Sequence, residues 1–256
     1  MSSVSKTAFA AAAAMMLASG AAHAQSAPAL EFSVYGGGAV GPAYPGSDDY
    51  DVSPGLGLSF GYLSLRGFQF GAVGGASFAP GLSLSPSVNI RGERTSADHA
   101  DLAGLPDVDR AYELGLRLSY TTEDWQVFGA VRRGFEGHTG IVGEIGGNVI
   151  YRPNEQWTLN IGPRATFGNA AFTDTYFGVA PGGAVLATPY TAGGGIVSTG
   201  LEVGAQYRIN RDWAVEGAVS YSRLRGSAAD SPISRAGSLD QYGASIGLRR
   251  YFRIGG

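Results

Sequence analysis

Cysteine is absent from the 256 residues, histidine occurs three times, and Lys6 is the only lysine. Without cysteine, the chain can form neither a disulfide framework nor a thiolate metal site. Acidic residues outnumber basic ones, and the formal net charge is −3. This balance offers no basic surface for nucleic acid. We therefore expect no cofactor, no bound metal and no nucleic-acid partner.

Long apolar runs are also lacking, since no later stretch reaches the about 20 apolar residues that a transmembrane helix needs. The short apolar run Ala8–Leu17 follows Lys6 and precedes the small-x-small tripeptide that ends at Ala24. This order is typical of a secretory signal cleaved between Ala24 and Gln25. We expect an exported chain with residues 1–24 as its signal peptide and residues 25–256 as one domain.

Alternating apolar and polar residues are what the sequence has in abundance, together with 41 glycines and 13 tyrosines. Between Tyr112 and Tyr120, every second residue is apolar, and Glu113 and Arg117 occupy the opposite positions. Successive side chains of a strand point to opposite faces, so this segment has one apolar and one polar face. In a membrane barrel the apolar face meets lipid and aromatic residues lie at both interfaces.

The same alternation predicts eleven strands of about ten residues, the length of a tilted membrane-spanning strand. Bacterial barrels have an even number of strands. We therefore predict an all-β, antiparallel up-and-down transmembrane barrel of about twelve strands, with ten as the alternative. A twelfth strand would lie in 92–110 or near 175–179, whereas ten strands would result if two of the early glycine-rich strands were one. The predicted strands are Glu31–Val40, Asp51–Tyr62, Arg66–Ser77, Leu82–Arg91, Ala111–Tyr120, Trp125–Phe135, Ile141–Tyr151, Trp157–Phe167, Ile196–Arg208, Trp213–Tyr221 and Gln241–Phe252.

The connections are of two sizes. Three short polar turns each lie between a tyrosine and a tryptophan: Tyr120–Trp125, Tyr151–Trp157 and Tyr207–Trp213. Long polar loops follow other strands. Outer-membrane barrels have short periplasmic turns and long extracellular loops, which predicts that the three turns face the periplasm. The last strand would close the barrel there with Phe252.

Charged residues of both signs fall on the predicted inner face of the barrel. They are expected to pair across a narrow lumen and make it rigid, and a selectivity surface for small polar solutes is the alternative. The lumen-facing set is Glu113, Arg117, Glu144, Arg164, Glu202, Arg208, Glu216 and Arg249.

His138 is the candidate catalytic base of a serine hydrolase, which would need a nucleophile near it. Asp230 and Ser231 are the candidate partners, but they are remote in sequence, and Asp-Ser-Pro is common in loops. We expect no enzyme activity.

Four motifs in a fixed order carry a family resemblance: Tyr44–Tyr50, Gly134–Gly140, Thr175–Val179 and Leu224–Ile233. Together they resemble the MltA-interacting protein (MipA)/OmpV family of outer-membrane proteins, from about Phe32 to Phe252. The resemblance implies a barrel in the Gram-negative outer membrane, surrounded by lipid. It also implies a scaffold that links a lytic transglycosylase to a murein synthase, which is a penicillin-binding protein. A small-solute channel, or a surface receptor or adhesin acting through the long loops, is the alternative.

Overall fold

A computed structural model describes residues 30–65, 68–71, 78, 80–182 and 188–255. The expected signal segment 1–24 and its cleavage site between Ala24 and Gln25 lie outside the described residues. Part of the predicted strand Arg66–Ser77 lies outside them as well. No helix in the described part of the chain is long and apolar enough to cross a membrane.

The described residues form one antiparallel sheet, and nearly every strand begins and ends within a few residues of its predicted bounds. The exception is the predicted strand Arg66–Ser77, of which the structure describes four residues as a strand. The strands are β1 (Leu30–Pro42), β2 (Tyr50–Leu65), β3 (Phe68–Gly71), β4 (Gly81–Arg91), β5 (Ala111–Thr121), β6 (Trp125–Glu136), β7 (Ile141–Tyr151), β8 (Trp157–Gly168), β9 (Gly195–Arg208), β10 (Trp213–Leu224) and β11 (Asp240–Ile254).

The sheet closes on itself by pairing β1 antiparallel with β11, and its two ends are β3 and β4. Those two strands share no hydrogen-bonded pairing within the described residues, although β2 and β4 approach each other, so the barrel is nearly closed. An antiparallel first and last strand requires an even number of alternating strands. Ten strands are 11 to 16 residues long, whereas β3 has four residues and is too short to cross a membrane. The preferred count of twelve is therefore wrong, and the alternative of ten is correct.

The outer surface of the barrel is an apolar belt. Leu116 is 56% exposed and Ile246 is 66% exposed, as the period-two pattern requires of a face that meets lipid. Exposed aromatic residues lie near both ends of the strands. They include Trp125, Tyr151 and Trp157 at one end, and Tyr50, Phe135, Tyr221 and Tyr242 at the other.

The two ends of the barrel differ in their connections. The three short turns lie at one end of the barrel, together with the first residues of β1 and the last residues of β11. We call it the turn end. In two of these turns an asparagine side chain caps the backbone. The carboxamide oxygen of Asn154 accepts from the Gln156 and Trp157 amides at 3.0 and 2.9 Å. Asn210 does the same for Asp212 and Trp213.

The long connections at the other end, the loop end, contain helices rather than further strands. Residues 92–110 hold a 3-10 helix, Ala100–Leu102, and one isolated bridge between Arg94 and Val108. Residues 175–179 begin inside helix α1 (Ala170–Phe177), and α2 (Gly226–Asp230) and α3 (Pro232–Ala236) follow β10. The two places expected to hold a twelfth strand therefore hold none.

Helix α1 is stabilised by a side-chain cap at its first turn and by burial of its apolar face. The Asn169 side chain caps it by accepting from the Phe172 amide at 3.1 Å. Phe172 and Tyr176, four residues apart, lie on one face, and with Phe177 they are almost completely buried. The pairing of a helix cap with buried aromatic residues explains why this polar loop is ordered.

The loop-end segments 43–49, 92–110, 169–182, 188–194 and 225–239 pack together, and we call them the cap. One apolar cluster joins α1 to the strand ends at Val142, Val197 and Leu224. A second cluster takes one or more residues from four of the segments: Tyr44, Leu102, Leu105, Val179 and Ile233. The cap is therefore a small folded layer over the loop end of the barrel.

Candidate functional site

The inward faces of the strands bring the polar residues together inside the barrel, between the cap and the turn end. At the cap side, Glu113 of β5 is completely buried and accepts four hydrogen bonds. Asn89 and Arg132 donate at 3.1 Å each, His138 lies at 3.3 Å, and Arg91 also donates. A buried carboxylate is stable only when it is paired and hydrogen-bonded in this way.

His138 connects this carboxylate to the cap. Its Nδ1 accepts from the Gly140 amide at 3.1 Å, which assigns the ring proton of the neutral side chain to Nε2, facing Glu113. The edge-on rings of Phe172 and Tyr176 lie 5.2 and 5.5 Å from the imidazole, centroid to centroid. The base of the cap is thereby fixed to the inner wall of the barrel.

Arg94 connects α1 to the loop before β5. It is 3% exposed and donates to the Tyr176 carbonyl at 2.8 Å. Burial lowers the pKa of this guanidinium and raises the pKa of the Tyr176 phenol. Both shifts arise from the removal of water inside the cap.

Further ion pairs join neighbouring strands along the inner wall, on the turn-end side of Glu113. Arg132 also contacts Glu144 at 3.2 Å, and Arg164 contacts Glu202 at 2.8 Å. Near the turn end, Arg249 and Glu216 lie 2.5 Å apart, and Arg249 also donates to Ser33 at 2.9 Å. Six of the eight charged residues proposed for the lumen contribute to this network: Glu113, Glu144, Arg164, Glu202, Glu216 and Arg249.

The other two proposed residues contact aromatic rings instead. The Arg117 guanidinium carbon lies 3.5 Å from the centroid of Phe128, and that of Arg208 lies 5.8 Å from the centroid of Tyr251. In the described part of the chain, neither has a carboxylate partner within 4 Å. These are cation–π contacts, which position a guanidinium without neutralising it.

Two cavities occupy the lumen. The one nearer the turn end has a volume of 420 Å³, and its polar lining includes Ser85, Ser119 and Asn160. The one nearer the cap has a volume of 430 Å³ and reaches Arg91 and Arg132. They meet at a level shared by Ser87, Val88, Arg117, Arg164 and Glu202.

The structure does not assemble the serine hydrolase set. The imidazole of His138 is occupied by Glu113 and Gly140. The Ser231 hydroxyl donates to the Phe177 carbonyl at 2.6 Å, and Asp230 pairs with Arg235 at 3.0 Å. Among the described residues, no group of three or more histidine, aspartate or glutamate side chains is arranged to hold a metal ion.

Arg91 and Arg132 belong to the inner network but not to the predicted set of lumen charges. The sequence pattern already places Arg91 on the polar face of its strand with Ser83 and Ser87, and this face lies inside the barrel. The inner face of β6 was difficult to recognise from the sequence because it includes an apolar residue, Phe128, as well as Arg132. The polar residue Gln126 lies an even number of positions from Arg132, and this spacing was the sequence signal that places Arg132 inside.

Phe252 was expected to end the last strand, but β11 continues to Ile254. Phe252 stacks on Phe32 of β1 with 4.9 Å between ring centroids and 10° between planes. Arg253, the next residue of β11, pairs with Asp212 at 2.9 Å. The pairing with β1 extends the strand, because Leu30 and Glu31 offer backbone partners to Ile254 and Arg253.

The chain matches several solved structures over most of its length. OprG of Pseudomonas aeruginosa is 14% identical, with 91% of this chain and 100% of that chain covered and a TM-score of 0.32. The NanC porin is 13% identical, with 86% and 98% covered and a TM-score of 0.40. Neisserial surface protein A is 10% identical, with 86% and 97% covered and a TM-score of 0.27. No curated protein matches the sequence.

The family model described as MltA-interacting protein MipA matches residues 34–252, which is most of the chain and all but the ends of the barrel. The match begins within β1 and ends within β11, so it includes the inner polar network and the cap segments. The chain therefore belongs to the MltA-interacting protein MipA family and is a β-barrel of the outer membrane.

Proposed function

We propose that this protein is a non-enzymatic scaffold that holds murein-remodelling enzymes at the periplasmic side of the outer membrane. The family description names an interaction with MltA, and by family resemblance the partners are a lytic transglycosylase and a penicillin-binding murein synthase. The turn end is the docking side in this proposal, since short turns of outer-membrane barrels face the periplasm.

The observation that carries the proposal is the packed cap at the loop end. Phe172, Tyr176 and Phe177 are buried there, and His138 fixes α1 to the Glu113 cluster. A barrel covered in this way is better suited to present a rigid surface than to pass solutes freely. Inside it, the paired charges contribute to rigidity.

The turn end presents charges of both signs on turns with defined geometry. Asn154 and Asn210 each cap two backbone amides, so the neighbouring side chains project from ordered positions. Glu123, Glu155 and Arg211 are exposed there. Charged side chains at the rim of an interface steer association and determine which partner binds.

Binding of purified MltA-type lytic transglycosylase to the detergent-solubilised barrel tests the proposal. Reversing three turn-end charges should weaken binding, while reversing three exposed cap charges with the same change in net charge should not. The two sets are Glu123→Arg, Glu155→Arg and Arg211→Glu at the turn end, and Glu93→Arg, Asp101→Arg and Arg110→Glu in the cap. Equal binding by both sets, or no binding by the unmodified barrel, would contradict the scaffold.

A small-solute channel is the second candidate function, and the two lumenal cavities are the observation that favours it. Steady open steps in a planar bilayer would support this function over the scaffold, and a silent trace together with enzyme binding would support the scaffold. A receptor or adhesin would bind its target through the cap surface. The cap-charge variants above test that role, because whole cells that carry them should then bind the target more weakly.

A further inference from the structure

Among the charged residues that line the two cavities, one arginine has no carboxylate partner. Five arginines line the two cavities: Arg91, Arg117, Arg132, Arg164 and Arg249. Four of these have carboxylate partners, which are Glu113, Glu144, Glu202 and Glu216. Arg117 forms no ion pair within 4 Å among the described residues, although Glu144 and Glu202 lie near enough to attract it. Every aspartate and glutamate of the sequence lies in the described segments, so no acidic side chain elsewhere is available to it.

The surroundings of Arg117 leave its guanidinium edge open. Its neighbours on the inner face are small: Ser85 on β4, Ala130 on β6, and Gly115 and Ser119 on its own strand. Phe128 packs on it, with the guanidinium carbon 3.5 Å from the ring centroid. Stacking uses one flat face and leaves the N–H groups at the edge free to donate. A guanidinium is always charged, and its planar fork fits the two oxygens of an oxyanion.

Arg117 also has a central position. It lies at the level where the two cavities meet, together with Arg164 and Glu202. Arg164 donates through its two terminal nitrogens to Glu202, Asn148 and the Gly147 and Pro163 carbonyls, so those donors are already used. The Arg117 guanidinium has no hydrogen-bond acceptor among the described residues and borders both cavities, so it can offer bidentate hydrogen bonds to a ligand.

We propose that Arg117 anchors a lumenal binding site for a small polyhydroxylated anion. The carboxylate or phosphate of the ligand would accept from the Arg117 guanidinium. Ser85 and Ser119 lie beside it in the same cavity, and Asn160 lines that cavity too, so hydroxyl groups of the ligand would find polar partners. The cavity volumes of 420 and 430 Å³ lie in the range of sites for small molecules. This inference is independent of the scaffolding role.

Glucuronate and glucose form a matched pair of probes, because they have similar size and hydroxyl groups and differ in one carboxylate. Isothermal titration of the folded barrel at constant ionic strength should show saturable binding of glucuronate and none of glucose. Glucose 6-phosphate forms a second arm and separates a preference for phosphate from one for carboxylate. Arg117→Gln should weaken binding by about ten-fold or more, because hydrogen bonds to a charged group are lost.

Arg133→Gln is the control variant, since Arg133 is exposed on the neighbouring strand β6 and lines neither cavity. It should bind glucuronate as the unmodified barrel does. If Arg117→Gln does not fold, Arg117→Lys tests the site, because it keeps the charge but loses the fork and should bind several-fold more weakly. Equal affinities for glucuronate and glucose, an absence of binding of both anions, or unchanged affinity in the Arg117 variant would overturn the proposal.

Discussion

Glu113 and His138 face each other inside the barrel, with 3.3 Å between Oε1 and Nε2 and no solvent exposure of either side chain. Glu113 belongs to the wall at β5, whereas His138 lies in the turn between β6 and β7 and contacts the aromatic residues of α1. One buried contact thus joins the membrane-spanning wall to the cap. The stability of the two parts should therefore be coupled.

Replacing Glu113 should test that coupling. Glu113→Gln keeps the shape but leaves Arg91 and Arg132 without their shared charge, and removing one partner of a buried pair costs about 3–5 kcal/mol. Glu202→Gln removes a carboxylate whose side chain is 37% exposed and should cost less. Unfolding in denaturant, followed by electrophoretic mobility of the folded barrel, measures both. A similar loss in the two variants would show that burial of the Glu113 cluster is unimportant.

Gly134 leaves the space that the His138 ring fills. A Cβ at this position would lie 2.2 Å from the ring, so Gly134→Ala should displace the imidazole and loosen α1. Gly129→Ala, on the same strand, would meet no atom closer than 3.9 Å and is the matched control. Limited proteolysis should cut the cap of the Gly134 variant faster. Equal rates would mean that His138 does not hold the cap.

The orientation of the barrel can be tested with single cysteines, because the chain has none of its own. Asn154 lies in a turn at the turn end, and Asp230 lies at the loop end with a side chain 64% exposed. In intact cells, an impermeant maleimide should label Asp230→Cys and leave Asn154→Cys unlabelled. The reverse labelling would place the turn end outside the cell.

Leu116 tests the lipid contact of the apolar belt. An arginine at the bilayer midplane of a barrel costs about 2–4 kcal/mol, so Leu116→Arg should lower the yield of folded protein in lipid vesicles. Ile209→Arg is the control, because Ile209 is similarly exposed but lies in a turn beyond β9. A cost near zero is expected there. Full folding of both variants would contradict a lipid-facing position for Leu116.

Phe252 is expected to stabilise the junction of the first and last strands. Phe252→Ala removes a ring stacked 4.9 Å from Phe32, and such aromatic pairs contribute about 0.5–1.5 kcal/mol beyond burial. Asp212→Ala breaks an exposed ion pair with Arg253 but leaves Arg253 beside the buried Glu31, so it should cost at most about 1 kcal/mol. The rate of assembly into lipid vesicles should fall more for Phe252→Ala. A larger effect of Asp212→Ala would assign the closing role to the ion pair.

The strands could be predicted from the sequence because each residue of a barrel wall faces either lipid or lumen. The two ends of a strand such as Ile141–Tyr151 can therefore be located from the positions where the alternation of its residues begins and stops. The cap could not be predicted in this way. Its helix α1 depends on burial of Phe172 and Tyr176 against distant residues, which no local pattern specifies. The Asn169 cap was the one local signal for it.

The ion-pair partners of the lumenal charges could not be predicted from the sequence, for a different reason. The alternation gives the inner face but not the register, and a register is needed to decide whether Arg164 meets Glu202 or Glu144. The strand count failed where the alternation is weakest, in the glycine-rich segment around β3.

The cap has a consequence for the order of folding. Its second apolar cluster joins Tyr44 to Ile233, so it gathers contacts across nearly the full length of the barrel. Contacts of such high sequence separation form late, because the loop-closure entropy must be met first. The barrel wall can assemble strand by strand from neighbouring hairpins, but the cap can pack only after β11 has paired with β1. A chain arrested before that step would have all its lipid-facing strands but an unfolded cap. Proteases at the cell surface would cleave that cap faster than the cap of the mature protein.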